Sequence, residues 1–115
     1  MSLDFNDYQE KAFATAIYPE AGTGSFSAVS YAVLGLVNEA GEVSGKLKKV
    51  WRDNDGELTP ELRKKIADEL GDVLWYAAAL ADELGTDLST VAKENMYKLL
   101  SRQARGVIGG SGDNR

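Results

Sequence analysis

The chain has 115 residues, of which 43% are hydrophobic and 27% charged, and it contains neither cysteine nor histidine. These values predict one folded domain with a modest core. The two missing residue types exclude disulfides, thiolate or histidine metal sites, cysteine nucleophiles and Ser-His-Asp triads. The net charge of −5 argues against binding to a nucleic-acid polymer, because that affinity depends on Lys and Arg at phosphates.

No targeting or membrane segment is visible. The first residues lack the basic and apolar regions of a signal peptide. The longest apolar run, Val73–Ala81, is shorter than the roughly 20 residues that cross a bilayer. We therefore expect a soluble cytoplasmic protein without a membrane partner.

Helical periodicity dominates the chain from its start. The first helix is predicted from about Asn6 to Ile17. It ends at Tyr18-Pro19, because the residue before a proline is driven out of the α region. The second helix is predicted from about Ser27 to Trp51, after a loop that is rich in glycine.

Two further helices follow. Thr59 is a favourable N-cap for the third, Pro60 suits its first turn, and Leu84-Gly85 provides its C-terminus. The fourth is predicted from about Asp87 to Arg105, before a glycine-rich tail at residues 106–115. The pattern contains no β period and no linker. It therefore predicts an all-α fold, a four-helix bundle in a single domain at residues 1–105.

An apolar stripe on the second helix is expected to face the core. Its members alternate steps of four and three: Val29, Val33, Leu36, Ala40, Val43, Leu47 and Val50. Trp51 continues this line, and we assign it to the core in preference to stacking on a base.

Two acidic pairs, Glu39 with Glu42 and Glu69 with Asp72, lie thirty residues apart on the second and third helices. A spacing of i, i+3 places both carboxylates of a pair on one helix face. If the two helices pack antiparallel, four carboxylates converge, and their repulsion and desolvation call for a cation. Oxygen ligands suit Mg²⁺, with Mn²⁺ as a substitute. The alternative is that the acids only decorate a solvated face.

Glycines within the helices accompany these pairs: Gly35, Gly41, Gly45 and Gly71. Each costs about 1 kcal/mol relative to alanine. We expect close approach by a neighbouring helix or a ligand to justify that cost.

Polar residues on other helices are candidate substrate contacts. One face of the fourth helix carries Asn95, Lys98, Arg102 and Arg105. Such a row could bind a phosphate chain, or it could be an exposed basic face near a helix C-terminus. Gln9 lies on the apolar side of the first helix. Its amide could contact a base or sugar, or it could be satisfied by neighbouring backbone.

Trp75 is expected on the back of the third helix, near Gly71, Ala78 and Ala79. Apolar residues on both sides of a helix indicate burial by a partner chain, so a homo-oligomer is predicted. The alternative is that Trp75 is covered within its own chain, for example by the N-terminal segment.

Three segments together resemble the MazG-like nucleotide pyrophosphohydrolases of the all-α NTP pyrophosphatase superfamily, in their short single-domain form. They are Leu34–Val43, Asp68–Tyr76 and Asn95–Leu99. The resemblance implies Mg²⁺-dependent hydrolysis of a (deoxy)nucleoside triphosphate to the monophosphate and pyrophosphate, by a homodimer or homotetramer.

The resemblance also assigns residues. It implies metal ligation and catalysis by Glu39, Glu42, Glu69 and Asp72. It implies phosphate contacts by Lys98 above all, and by Lys46 and Arg102. Independently, a chain without histidine or cysteine is best served by water on a metal as the nucleophile. Glu39 or Glu42 is the candidate to hold and deprotonate that water.

Two other classes of protein are also built on acidic helical bundles. A ferritin-like oxidase requires Glu-x-x-His motifs, which a chain without histidine cannot provide. A non-catalytic helical adaptor or nucleotide-binding regulatory protein is the alternative from another class. Retention of all four acids and Lys98 argues against it.

Overall fold

The computed structural model describes all 115 residues. It contains four α-helices and no strand: α1 (Phe5–Phe13), α2 (Phe26–Asn54), α3 (Pro60–Glu83) and α4 (Leu88–Ala104). The all-α class and the number and order of the helices are therefore confirmed. None of the four combines the length and the apolar composition that are needed to cross a membrane.

Side-chain caps fix where the helices begin. The side chains of Ser25, Thr59 and Asp87 each accept a hydrogen bond from a backbone N–H in the first turn of α2, α3 and α4. Pro60 occupies the first turn of α3. These contacts satisfy donors that a helix cannot satisfy internally, and they confirm the predicted start of α3.

The first helix is shorter than predicted, because it ends at Phe13 rather than near Ile17. The carbonyl of Ala12, which a longer helix would use internally, accepts hydrogen bonds from Thr15 Oγ1 at 2.7 Å and Trp75 Nε1 at 3.2 Å. The same carbonyl accepts from the backbone N–H of Thr15 at 3.0 Å, and Ala16 N–H donates to Phe13 O at 3.0 Å, so turn-type backbone bonds together with side chains replace the α-helical bonds at this point. The chain then turns, and Glu20 adopts a left-handed conformation with φ of 61°.

The most extensive helix contact joins α2 to α3, where small residues allow the two backbones to approach closely. Ala28 and Ala32 of α2 are buried in one cluster with Ala79 of α3. The helix α1 packs on α3, whereas α4 contacts α1 and α3 but not α2. The Cα radius of gyration is 17.0 Å, compared with about 13 Å for a compact chain of this length. The four helices do not close a bundle within one chain.

The predicted apolar stripe of α2 is consequently only half covered. Val50 is buried, but Val33 and Leu47 are exposed, and so is Val37 beside them. Trp51 is 80% exposed, so its assignment to the core is wrong for the single chain. The reason is that α3 alone packs on α2, and one helix covers only one side of a broad stripe.

Trp75 is covered within its own chain. Its indole Nε1 donates to Thr15 Oγ1 at 2.9 Å as well as to Ala12. The ring packs against both buried clusters of the core, which contain Ala78 and Ala79. The predicted external patch around Trp75 is therefore wrong, because the N-terminal segment fills that side of α3.

Glu83, at the end of α3, fastens the loop between α1 and α2. This buried carboxylate accepts hydrogen bonds from the backbone N–H groups of Gly22 at 2.8 Å and Gly24 at 3.0 Å, and from the Tyr18 hydroxyl. Both glycines have positive φ, which L side chains rarely adopt. Burial by itself would raise the pKa of Glu83, but the three hydrogen bonds lower it below the usual value.

Candidate metal centre

The antiparallel pairing of α2 and α3 follows from three contacts between them. Gly35 lies against Tyr76, Lys46 Nζ is 3.4 Å from Glu69 Oε1, and Glu39 lies near Asp72. Residue numbers rise along α2 as they fall along α3. The helix faces that carry Glu39 on α2 and the Glu69–Asp72 pair on α3 therefore face each other.

Three of the four predicted acids converge between these helices. Glu39, Glu69 and Asp72 each offer a carboxylate oxygen, and these oxygens lie within 4.8 Å of one another. Glu39 and Glu69 are partly buried, whereas Asp72 is exposed. Glu42 is also exposed and is not part of this group.

The three carboxylates of the cluster carry more negative charge than Lys46, their ion-pair partner, can neutralise. Partial burial raises the pKa of Glu39, and the negative charges of Asp72, Glu69 and Glu42 raise it further. Lys46 is the cation that forms an ion pair with the group. Three oxygen donors that repel one another in a partly buried site fit a hard divalent cation.

Aromatic rings flank the carboxylates. A Cβ on Gly35 would lie only 2.0 Å from Tyr76 Cε1, so the Tyr76 ring rests directly on the backbone of α2. Burial raises the pKa of Tyr76, and the neighbouring Tyr31, Glu39 and Asp72 add to this effect. Tyr8 of α1 likewise has a raised pKa, because of burial and the charge of Asp72.

Neither Tyr31 nor Tyr8 is among the residues predicted for this site. The available signal for Tyr31 was its spacing, since Tyr31, Gly35 and Glu39 recur every four residues on α2. Among the four glycines within helices, only Gly35 lies close to a neighbouring element. A Cβ on Gly41, Gly45 or Gly71 would meet nothing within 4 Å, so the expected helix contact is wrong for these three, and approach by a ligand stays a prediction.

The basic row of α4 is not brought to the carboxylates in this chain. Asn95 and Lys98 are exposed and line a surface cavity formed by residues of α4 alone. Arg102 is only 5% exposed, and its guanidinium donates to the carbonyl of Asp113 in the tail. Arg105 donates to the carbonyl of Arg115. The tail therefore folds over the end of the row, and we leave Arg102 out of the substrate site.

The Gln9 amide is satisfied by neighbouring backbone, which is the second of its two predicted roles. The side chain is buried, its Nε2 donates to Thr86 O at 3.1 Å, and its Oε1 accepts from Leu88 N at 2.7 Å. Both ends of the amide thus join α1 to the turn before α4. We correct its assignment to the nucleotide pocket accordingly.

Comparisons with known proteins agree with this geometry. The sequence is 55% identical over 109 residues to the Gene 37 protein of Mycobacterium phage L5, which covers 94% of this chain and 96% of that protein. No solved structure matches the chain. The sequence model of the MazG nucleotide pyrophosphohydrolase domain matches residues 29–107, which include every residue of the acidic cluster. The chain therefore belongs to the MazG nucleotide pyrophosphohydrolase family.

Proposed function

We propose that the protein hydrolyses a (deoxy)nucleoside triphosphate to the monophosphate and pyrophosphate, with Mg²⁺ as cofactor, in the cytoplasmic nucleotide pool. The observation that carries the proposal is the convergence of Glu39, Glu69 and Asp72 within a MazG domain. Carboxylates arranged for a hard cation suit the handling of phosphate chains bridged by metal.

The residues of the chain divide the work as follows. Glu39, Glu69 and Asp72 would hold the cation, which when bound would supply an acidic water and neutralise phosphate charge. Glu39, which is partly buried and faces the other two acids, is one proposed acceptor of the proton from the attacking water. Glu42, exposed one turn farther along α2, is the other candidate. Lys46, which forms an ion pair with Glu69, would offer its ammonium to a phosphate of the substrate.

The direct test measures pyrophosphate release from a panel of dNTPs and NTPs, after removal of metal by chelation and after addition of Mg²⁺ or Mn²⁺. We expect turnover with Mg²⁺ and none without a divalent cation. Binding of nucleotide without turnover would favour the non-catalytic regulatory alternative.

A pair of isosteric substitutions on α3 locates the site. Loss of a residue that only supports a metal ligand typically costs about 10- to 100-fold in activity or affinity. Asp72 is itself a proposed ligand, so Asp72→Asn should lower kcat/KM by about 100-fold or more. Asp68→Asn is the matched control, because Asp68 is exposed, pairs with Lys64 and lies outside the acidic cluster. Equal effects of the two variants would contradict the assignment.

We also propose that the chain works as a homo-oligomer, a dimer or a tetramer. Support comes from the uncovered apolar side of α2, where Val37 is 65% exposed and Val33, Leu47 and Trp51 are exposed along the same line. A second copy seated there would bury these side chains. Such a copy could also bring Asn95 and Lys98 to the carboxylates, which the single chain does not do.

Light scattering coupled to size exclusion tests the assembly. Val37→Glu should lower the oligomeric state, because it places a charge in the proposed interface. Gln103→Glu, which adds the same charge at an exposed position on α4, should not. A monomeric wild-type protein would refute the proposal.

A further inference from the structure

Two tyrosines form a fixed stack beside the acidic cluster. The rings of Tyr18 and Tyr31 are 4.6 Å apart with an interplanar angle of 14°. Tyr18 is buried and held by Glu83, whereas Tyr31 remains 45% exposed. Tyr18 stacks on one face of the Tyr31 ring, and the ring of Tyr76 lies near it at a tilt of 38°.

The position of this ring relative to the carboxylates follows from helix geometry. Tyr31 lies eight residues before Glu39 on α2, which corresponds to about 12 Å along the helix axis. The ring of Tyr76 lies between them, with its centroid 6.4 Å from that of Tyr31, and it rests on Gly35. A sugar and a phosphate chain can span the interval from a planar group on Tyr31 to a cation at the acids.

We propose that Tyr31 is a stacking platform for the nucleobase of the substrate. The proposal rests on the proposed function and extends it from the phosphates to the base. Every base has a π-face, so an aromatic platform accepts all of them and ranks them by stacking strength. Tyr31 therefore permits broad base tolerance, with purines bound more tightly than pyrimidines.

The Glu83 carboxylate makes this platform rigid in advance. It fixes the Tyr18 hydroxyl and the loop that carries Gly22 and Gly24, and Tyr18 in turn supports Tyr31. A ring that is already held in place loses little conformational freedom when a ligand stacks on it. The opposing interpretation is that Tyr31 serves only to cover Tyr18.

Binding measurements without turnover separate the two interpretations. The probe is α,β-methylene-dATP with Mg²⁺, titrated by calorimetry into the wild-type protein and into Tyr31→Leu and Tyr31→Phe. Loss of one base–aromatic stack typically weakens binding about 5- to 150-fold. We expect an increase of this size in Kd for Tyr31→Leu and a change of less than about twofold for Tyr31→Phe.

Two controls make the result specific. Phe26→Leu removes an aromatic ring that is 89% exposed on the same helix, and it should leave Kd unchanged. Inorganic tripolyphosphate, which has no base, should bind wild type and Tyr31→Leu equally. The base protons of the analogue should show upfield NMR shifts with wild type and Tyr31→Phe but not with Tyr31→Leu.

The outcomes distinguish this proposal from the proposed function. If wild type binds the analogue and Tyr31→Leu binds it equally well, the platform is refuted while the pyrophosphohydrolase proposal stands. If wild type binds neither the analogue nor tripolyphosphate, both are refuted. If Tyr31→Leu is unfolded by circular dichroism, the ring-current shifts with wild type and Tyr31→Phe decide, and their absence refutes the platform.

Discussion

The contact between Gly35 and Tyr76 gives a stability prediction with a built-in reference. Alanine at position 35 would place its Cβ 2.0 Å from Tyr76 Cε1 and 2.5 Å from Cζ, well inside van der Waals contact. Within a helix the same change contributes about 1 kcal/mol through higher propensity. Overpacking of this kind costs about 1–3 kcal/mol. Gly45→Ala is the reference, because it has the same propensity gain and open space around the new methyl group.

The difference between the two variants isolates the clash, since the propensity gain is common to both. We expect Gly45→Ala to raise the free energy of unfolding by about 1 kcal/mol, and Gly35→Ala to lie about 1–3 kcal/mol below Gly45→Ala. Urea unfolding followed by circular dichroism measures both values. The m-value should stay constant if only stability has changed. Equal stability of the two variants would show that Tyr76 does not rest on the backbone of α2.

Three other predictions concern residues that hold the helices together. Glu83→Gln should destabilise the fold by about 1.5–3 kcal/mol. Because the native pKa of Glu83 is lowered, the stability that Glu83 contributes is fully present above its usual pKa of 4.5 and is lost as the pH falls through the lower native pKa. The difference in free energy of unfolding between wild type and Glu83→Gln should therefore shrink at low pH, and a difference that persists there would contradict this. Gln9→Leu should cost about 1–3 kcal/mol, because it orphans Leu88 N–H, and should leave dNTP selectivity unchanged; altered selectivity would return Gln9 to the pocket. Asp87→Ala removes the N-cap of α4 and should cost about 1 kcal/mol in thermal or urea unfolding, whereas Asp68→Ala, at an exposed position within α3 that makes only a surface ion pair, should not destabilise the fold.

Local chemistry made the helices and part of the site predictable. Thr59 and Pro60 specify the start of α3 by themselves, since a cap needs only residues that are adjacent in sequence. The i, i+3 spacing likewise assigned Glu69 and Asp72 to one face. Convergence with Glu39 followed once a short connection made α2 and α3 antiparallel neighbours.

Partner choice was not predictable in the same way. Periodicity states which face of α2 is apolar but not which element covers it, and so Trp51 and Val50 received the same assignment although only Val50 is buried. Trp75 donates to the carbonyl of Ala12 in the last turn of α1, a contact that the periodicity of α3 does not reveal. Gln9 accepts a hydrogen bond from Leu88, which is distant in sequence, and no local pattern predicts that contact.

The metal ligands depend on the packing of small residues elsewhere in the same helix pair. Ala28 and Ala32 of α2 share a buried cluster with Ala79 of α3, and Gly35 receives the ring of Tyr76. Small side chains at these positions let α2 and α3 approach closely, and the approach distance sets how near the carboxylates on one helix come to those on the other. Larger residues would separate the helices and increase the distances between the three carboxylate oxygens, which lie within 4.8 Å of one another. The packing of α2 against α3 and the proposed catalytic geometry are therefore two consequences of one choice of residues.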